Sequence, residues 1–294
     1  MNRTAHQRTA PGDVEIQLET GAKLSDEDYN FISRLVYEKS RIHLGKDKKV
    51  LVASRLAKRL RQLQLPDYRT YCHLLRSPAG DEEMRYLIDR ISTNHTHFLR
   101  EIKHFDFLRD HVLPQWAAKL GRGEPFRLWS AASSSGEEAY SIAMYLAEYL
   151  TAKHGVDWRI EGTDISTRVL EIARAGVYAD DRLAAVSTDW KRRFFQKGVG
   201  NWEGHLRVRE ELRQRVNFHH LNLLEDAYPF PPFQVIFCRN VMIYFDRPTQ
   251  ETLVARLAEK LIPGGHLMVG HSESLNGIRH TLKLVQPAIY VKPA

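Results

Sequence analysis

Several things are scarce in this chain of 294 residues, and each scarcity excludes something. No apolar run approaches the length of a membrane span, and Met1 to Glu15 has no signal-peptide hydrophobic segment, so no membrane insertion is expected. There are two cysteines, Cys72 and Cys238, far apart and inside apolar-periodic segments. They read as reduced core residues of a cytoplasmic protein, with a disulfide as the weaker alternative. No repeat or low-complexity segment is visible. The Gly-x-Ser-x-Gly nucleophile elbow is missing, so His271-Ser-Glu273 does not indicate acyl transfer. His95 and His97 have a His-x-His spacing but lack an evident third ligand, so no metal is expected. The dinucleotide fingerprint is missing too, since Gly136 is the lone glycine between Ser130 and Glu138.

What is present centres on Phe126 to Asp164. The segment reads as a strand (126–131), a small-residue loop (132–138), a helix and a second strand ending at Asp164. Ala139, Ile142, Ala143, Leu146, Ala147 and Leu150 recur at one-face spacing, which predicts the helix. Strand, tight turn, helix N-terminus and an acidic strand end together describe a nucleoside cradle, with Asp164 placed for ribose hydroxyls. Glu137 and Glu138 would repel a pyrophosphate at the helix start. A cofactor without phosphate and with a positive centre fits better, and S-adenosylmethionine has both properties. An ordinary βα turn, with Asp164 as a helix cap, is the bland alternative, although Ser166 is the better placed cap.

Along the chain, residues 1–24 are polar and read as a loose tail. Ser25-Asp-Glu-Asp28 resembles a capping box ahead of a helix carrying Phe31, Leu35 and Val36. A second helix, about Asp47 to Leu63, places Val50, Leu51, Leu56, Leu60 and Leu63 on an apolar stripe. Its other face is basic: Lys48, Lys49, Arg55, Lys58, Arg59 and Arg61. With a net charge of +7, that face is either a solvated surface or an electrostatic docking surface for an acidic partner. Helices at Asp67 to Arg76 and Asp81 to Ser92 complete an all-α domain (25–93). A linker (94–109) joins it to an α/β domain (110–294).

Beyond Asp164, Ser166 caps a short helix (169–175) that ends at Gly176. The βαβ rhythm then breaks, and a hairpin-like β-subdomain is expected at about 185–215. His219 and His220 fall in the strand Arg215 to Leu221, with one of the two expected to face solvent. Another strand covers Phe233 to Cys238. Asp246 and Pro248 start a helix bearing Leu253, Leu257 and Leu261, which Pro263-Gly-Gly265 stops. Strands at His266 to Gly270 and Leu284 to Val291 close the chain. The expected fold class is α/β: a doubly wound, mostly parallel Rossmann-like methyltransferase sheet with a small all-α N-terminal domain and an inserted β-subdomain. Pro229-Phe-Pro-Pro-Phe233 mimics the box of amino-group nucleic-acid methyltransferases, but it precedes the fourth strand where that box follows it.

Thr93-Asn-His-Thr-His-Phe-Leu-Arg-Glu101, Trp129-Ser-Ala-Ala-Ser-Ser-Ser-Gly-Glu-Glu138, Gly162-Thr-Asp-Ile165, Asn222-Leu-Leu224, Phe237-Cys-Arg-Asn-Val-Met-Ile-Tyr-Phe-Asp246 and Gly270-His-Ser-Glu273 together resemble the chemotaxis receptor glutamate methyltransferases, the CheR family. The resemblance runs from about Leu24 to Val291. It implies methyl transfer from S-adenosylmethionine to glutamate side chains of chemoreceptor cytoplasmic domains, with S-adenosylhomocysteine as the other product. By that resemblance, Asn94, Thr96, Arg100, Glu137, Asp164, Asn222, Leu223, Arg239 and Asn240 contact the cofactor, and Arg100 and Tyr244 position the reacting groups. Lys48, Arg55 and Arg61 match receptor-contact positions. Lys197, Gly198, Gly200, Gly204 and Arg207 match a branch that grips a receptor's C-terminal pentapeptide. The chain departs from the pattern at His95, His97 and Leu99, where apolar or aromatic residues are common. No nucleic-acid partner is implied, and a monomer is expected. A glutamate carboxylate, with an ordinary pKa of about 4.3, is already nucleophilic at neutral pH, so no base is required. The rivals are a nucleic-acid or small-molecule methyltransferase and a non-catalytic S-adenosylmethionine-binding module.

Overall fold

The computed structural model describes residues 22–120 and 124–294. The expected N-terminal tail therefore lies almost wholly outside the described residues. The described residues divide into two compact units, one reaching as far as Arg34 and taking in Leu44–Met84, the other made of Leu35–His43 with Arg85–Ala294.

The smaller unit is helical. Helix α1 (Asp26–Ser40) begins where the Ser25 hydroxyl accepts from the Asp28 amide at 3.0 Å and donates to the Asp28 carboxylate at 2.6 Å. Helix α2 (Lys49–Gln62) follows a short 3-10 turn, and α3 (Tyr68–Arg76) is capped by Asp67, which accepts from the Thr70 amide at 2.8 Å. Helix α4 spans Gly80–Ile91. The apolar stripe of α2 differs from expectation in its first turn. Val52, Leu56, Ala57 and Leu60 are buried, while Val50 and Leu51 are exposed. A stripe through residues 52, 56, 57 and 60 keeps helical spacing, and it leaves 50 and 51 on the outer side. Arg59 and Lys49 of α2 are tied up inside the unit. Arg59 forks onto the buried Glu83 (Nη2 to Oε2 2.6 Å), which also accepts from Tyr71 Oη at 2.8 Å, and Lys49 reaches Asp26.

The larger unit carries a seven-stranded sheet: β1 (Phe126–Ala131), β2 (Trp158–Asp164), β6 (Val216–His220), β7 (Phe233–Cys238), β8 (Leu261–Val269), β9 (Lys283–Gln286) and β10 (Ile289–Val291). Their order is β6-β2-β1-β7-β8-β10-β9, parallel from β6 to β8 and antiparallel over the last two pairs. The strand order reverses at β1, which opens a crevice beyond the carboxyl ends of β1 and β7. Ahead of the sheet, α5 (Lys103–Phe107) and α6 (Leu113–Ala117) are joined by a π-helical stretch. Helix α7 (Glu137–Leu146) runs through another into α8 (Ala152–His154).

Alternate residues of the central strands feed two cores, one on each face. Leu128, Val235 and Phe237 join Ile142, Met144 and Leu170 on one side. Trp129, Ala131, Ile236 and Cys238 join Leu253, Val254 and Leu257 on the other. Both cysteines are buried and unbridged, and burial pushes the Cys72 thiol up to about 12. Helix α9 (Thr167–Ala175) has Ser166 as its cap and Gly176 at φ 61° as its end.

The inserted piece is a three-stranded antiparallel sheet, β3 (Val177–Ala179), β4 (Phe195–Lys197) and β5 (His205–Val208), ordered β3-β5-β4. Its first strand comes earlier than the expected start near residue 185. Helices α10 (Thr188–Phe194) and α11 (Glu210–Arg213) flank it. Tyr178, Phe195, Leu206 and Val208 belong to the same core as the main sheet, so the insert shares its hydrophobic interior.

Near the C-terminus the elements depart from the sequence expectation in two places. Helix α12 (Arg247–Glu259) stops before Leu261, which is instead the first residue of β8. Pro263-Gly-Gly265 then lies within that strand, where the register against β7 shifts and Gly264 takes φ 76°. The expected single strand Leu284 to Val291 is the hairpin β9–β10. Pro287 lacks an amide for the ladder, and Ala288 turns at φ 65°. Both His219 and His220 are exposed, because β6 is an edge strand. No helix among the described residues is long and apolar enough to cross a membrane.

Candidate functional site

The crevice beyond β1 is built from four loops. The first, Ala132 to Gly136, folds tightly. Ala132 and Ser134 have φ of 65° and 50°, and Gly136 has φ 94°. A side chain at Gly136 would come within 2.9 Å of Ala173 Cβ and Tyr178 Oη, so glycine is required there. At the end of β2, Asp164 receives the Ser134 amide on one oxygen and the Ser166 amide on the other, both at 2.9 Å. Burial pushes its carboxyl up to about 6 against those two donors.

Past β6, Leu221 donates to the Asp164 carbonyl at 3.0 Å, and Asn222 and Leu223 follow. The Asn222 side chain ties its loop to the end of α1, donating to Lys39 O, and accepts from the Leu224 amide, each at 3.0 Å. Leu223 is buried. The linker 94–101 crosses these loops: Ser134 Oγ donates to Asn94 O at 3.0 Å, and Leu99 N donates to Ser141 Oγ at 3.0 Å. Thr96 is half-buried.

The fourth loop follows β7 and is tied to the linker by a charge network that sequence reasoning missed. Arg239, one of the residues expected at the cofactor, has a buried guanidinium that donates to Glu138 and Glu101 at 2.9 Å each and to the Arg100 carbonyl at 2.5 Å. The Asn240 side chain is also committed, donating to Glu101 Oε1 at 3.2 Å. Glu273, set aside above as part of a hydrolase-like triplet, accepts from the amides of Gly270, Asn240, Met242 and Ile243 at 2.6–3.3 Å. It thereby clamps the β7 and β8 loops. Burial raises the Glu273 carboxyl despite these donors. For Glu101, burial also acts upward, but Arg239, Asn240 and the His271 amide outweigh it and lower the carboxyl.

Leu99, Glu101, Ala132, Ser134 and Asn240, all non-glycine, have positive φ in these loops. Strain of that kind costs on the order of 1–3 kcal/mol per residue and collects where a site is held in shape. No composition signal announces it.

Of the two residues expected to position the reacting groups, Arg100 turns its Nη1 onto the His95 carbonyl at 2.9 Å, and Tyr244 lies half-exposed in the short turn after β7. His97 is exposed, and its basicity is lowered by partial burial and by Arg100, His95 and Arg239, against Glu137. Glu101, His104 and His271 could each offer a ligand atom within 4.8 Å of the others. Arg239 already holds that Glu101 carboxylate.

His104 is buried with neither ring nitrogen hydrogen-bonded among the described residues; burial and then Arg239 depress it to about 3. His266 is depressed by burial to about 4. Both take up protons in the unfolded chain near 6.5 but in the folded chain only far lower. Their stabilising contribution is complete above about pH 6.5 and fades as pH falls toward 4. Urea midpoints are therefore expected to drop steadily from pH 7 to pH 4, with a shallower slope in His104→Phe. A midpoint unchanged between pH 7 and pH 5 would contradict this.

The candidate receptor and peptide residues lie elsewhere. Lys48, in the turn before α2, and Arg61 are exposed, and Arg55 is half-buried. Lys197 ends the edge strand β4, and Arg207 sits in β5 opposite Gln196. Gly198, Gly200 and Gly204 form the β4–β5 connection. A side chain at Gly198 would meet the Trp202 carbonyl at 2.0 Å, while Gly200 and Gly204 have φ of 58° and 78°.

Loops gathered where the strand order reverses, with an acidic residue closing β2, have the layout of an α/β nucleoside site. Residues 94–291 match the family model described as "CheR methyltransferase, SAM binding domain", and residues 27–92 match "CheR methyltransferase, all-alpha domain". The chain belongs to the CheR methyltransferase family. It is 42% identical to a chemotaxis protein methyltransferase of Escherichia coli K12 over 94% of each chain. It is also 42% identical to chemotaxis protein methyltransferase 2 of Pseudomonas aeruginosa, over 90% of this chain and 92% of that one. With the chemotaxis protein methyltransferase of Borreliella burgdorferi, identity is 37% over 92% of this chain and 95% of that one.

Proposed function

We propose that this enzyme esterifies glutamate side chains on the cytoplasmic domains of chemoreceptors, giving glutamate methyl esters for sensory adaptation. One observation carries the reading beyond the relatives' names. The carboxylates around the site are already engaged, Glu101 and Glu138 by Arg239, Glu273 and Asp164 by backbone amides. An acceptor that arrives already ionised, as a glutamate does, asks for none of them as a base.

S-adenosylmethionine supplies a methyl group on a positively charged sulfur. Asp164 and the Asn222–Leu223 loop would hold its nucleoside, and Asn94, Thr96, Arg100 and Glu137 its amino-acid part. Arg100 and Tyr244 orient the acceptor carboxylate. The turn 241–244 and the linker also present exposed Ile243 and Ile102, apolar ground for the residues around the acceptor. On α2, the exposed Leu51, Lys58 and Arg61 follow one another on one face and offer the receptor a basic surface with apolar contacts. The β4 edge, with its glycine-rich connection, suits an extended C-terminal peptide added as a further strand. The enzyme would act as a cytoplasmic monomer.

The test is transfer of labelled methyl groups to receptor cytoplasmic fragments, with release of the label as methanol in alkali marking esters. Fragments ending in an aromatic-terminated pentapeptide are expected to be modified faster at low concentration than truncated ones. Alkali-stable label, or label on receptor-free RNA alone, would overturn the proposal.

A further inference from the structure

Glu137 was expected to face the cofactor, yet it has no exposed surface at all. Ser135 Oγ donates to its Oε2 at 2.7 Å. Its Oε1 has no hydrogen-bond donor among the described residues and faces the guanidinium of Arg182, with which it forms an ion pair. Arg182 rises from the short turn Asp180–Leu183 that follows β3, and 39% of its side chain is open to solvent. Its Nη2 also lies 3.4 Å from Ser135 Oγ. The loop beneath is anchored independently, by Tyr178 Oη donating to Ser135 O at 2.7 Å. Of the groups that close over this carboxylate, Ser135 is buried and fixed, whereas Arg182 has a way out.

A buried carboxylate cannot release its cation without a replacement, because an uncompensated charge at such a site is strongly unfavourable. Two cations crowded onto one desolvated oxygen would repel each other. Whatever reaches Oε1 must therefore bring a positive charge and take the arginine's place.

We propose that Arg182 holds on Glu137 the position of the α-ammonium group of the cofactor's amino-acid part, and is exchanged for that group when the cofactor binds. This rests on the cofactor reading above and adds a residue of the inserted sheet to it. Arg182 then sets which ligands are favoured. Only a nucleoside carrying an ammonium group can claim Glu137, and the exchange costs it part of its affinity.

Calorimetric titrations with S-adenosylhomocysteine, which carries the ammonium, and 5′-methylthioadenosine, which lacks the whole amino-acid part, separate this role from a structural one. Arg182→Ala is expected to bind S-adenosylhomocysteine about tenfold more tightly than the parent, and 5′-methylthioadenosine equally well. The free variant should melt lower than the parent, and saturating S-adenosylhomocysteine should close that gap. Arg182→Gln, which keeps more of the side chain, is expected to show the same ligand selectivity in a milder form.

Weaker S-adenosylhomocysteine binding in both variants, or equal changes for both ligands, would overturn the exchange. So would a melting deficit that the ligand leaves in place. Failure of the parent to bind either ligand would remove the cofactor reading itself, and the inference with it.

Discussion

Arg239→Ala is expected to lower the free energy of unfolding by about 3–5 kcal/mol, the usual cost of removing one partner from a buried ion pair. The arginine side chain is 1% exposed and sits between Glu101 and Glu138. Its loss leaves two carboxylates facing each other without a cation, and it frees the Arg100 carbonyl that it holds at 2.5 Å. Urea unfolding measures the loss. Combining Arg239→Met with Glu138→Gln should restore part of it, since one charge is then removed along with its partner and the volume is kept. A single variant within about 1 kcal/mol of the parent would show that the network is incidental.

The second large effect concerns turnover. Arg100→Ala is expected to slow methyl transfer on the order of 100-fold, the scale on which misplaced reacting groups are felt. Cofactor affinity should change by less than about tenfold, as for the loss of one contact among several. Tyr244→Phe should cost about tenfold in turnover, the value of one hydrogen bond, again with little change in binding. Calorimetry and a labelled-methyl assay separate the two quantities. Full activity in both variants would refute the positioning roles, and parallel losses of binding and rate would reassign them to the cofactor.

Much of this architecture was legible in the sequence because its signals are local. The boundaries of β1 and β7 follow from short apolar runs bounded by turn residues, and the caps Asp67, Ser166 and Asp246 stand directly before their helices, each accepting from the amide three residues on. The loops that carry the site were also legible, since they follow strand ends in an alternating α/β pattern. What the sequence hid depends on distance or on context. Arg239 and Glu101 are 138 residues apart, so no local motif announces their ion pair. Val50 and Leu51 look like core residues until the rest of α2 fixes its rotation. Ala288 gives no glycine-like hint that the chain turns there, although Pro287 before it does. Glu137 stands at the start of α7, as the sequence places it, but its cover, Arg182, comes from an insert that follows no βαβ rule.

The central physical claim is that the loops beyond β1 and β2 accept a nucleoside without phosphates, because Asp164 ends β2, Glu137 answers to an ammonium group, and no glycine-rich run of free amides is there to take a pyrophosphate. Titration with S-adenosylhomocysteine and with NAD under identical conditions tests it most directly. Saturable one-to-one binding of the first and no measurable heat from the second is the predicted result; tight binding of NAD that S-adenosylhomocysteine fails to displace would contradict it.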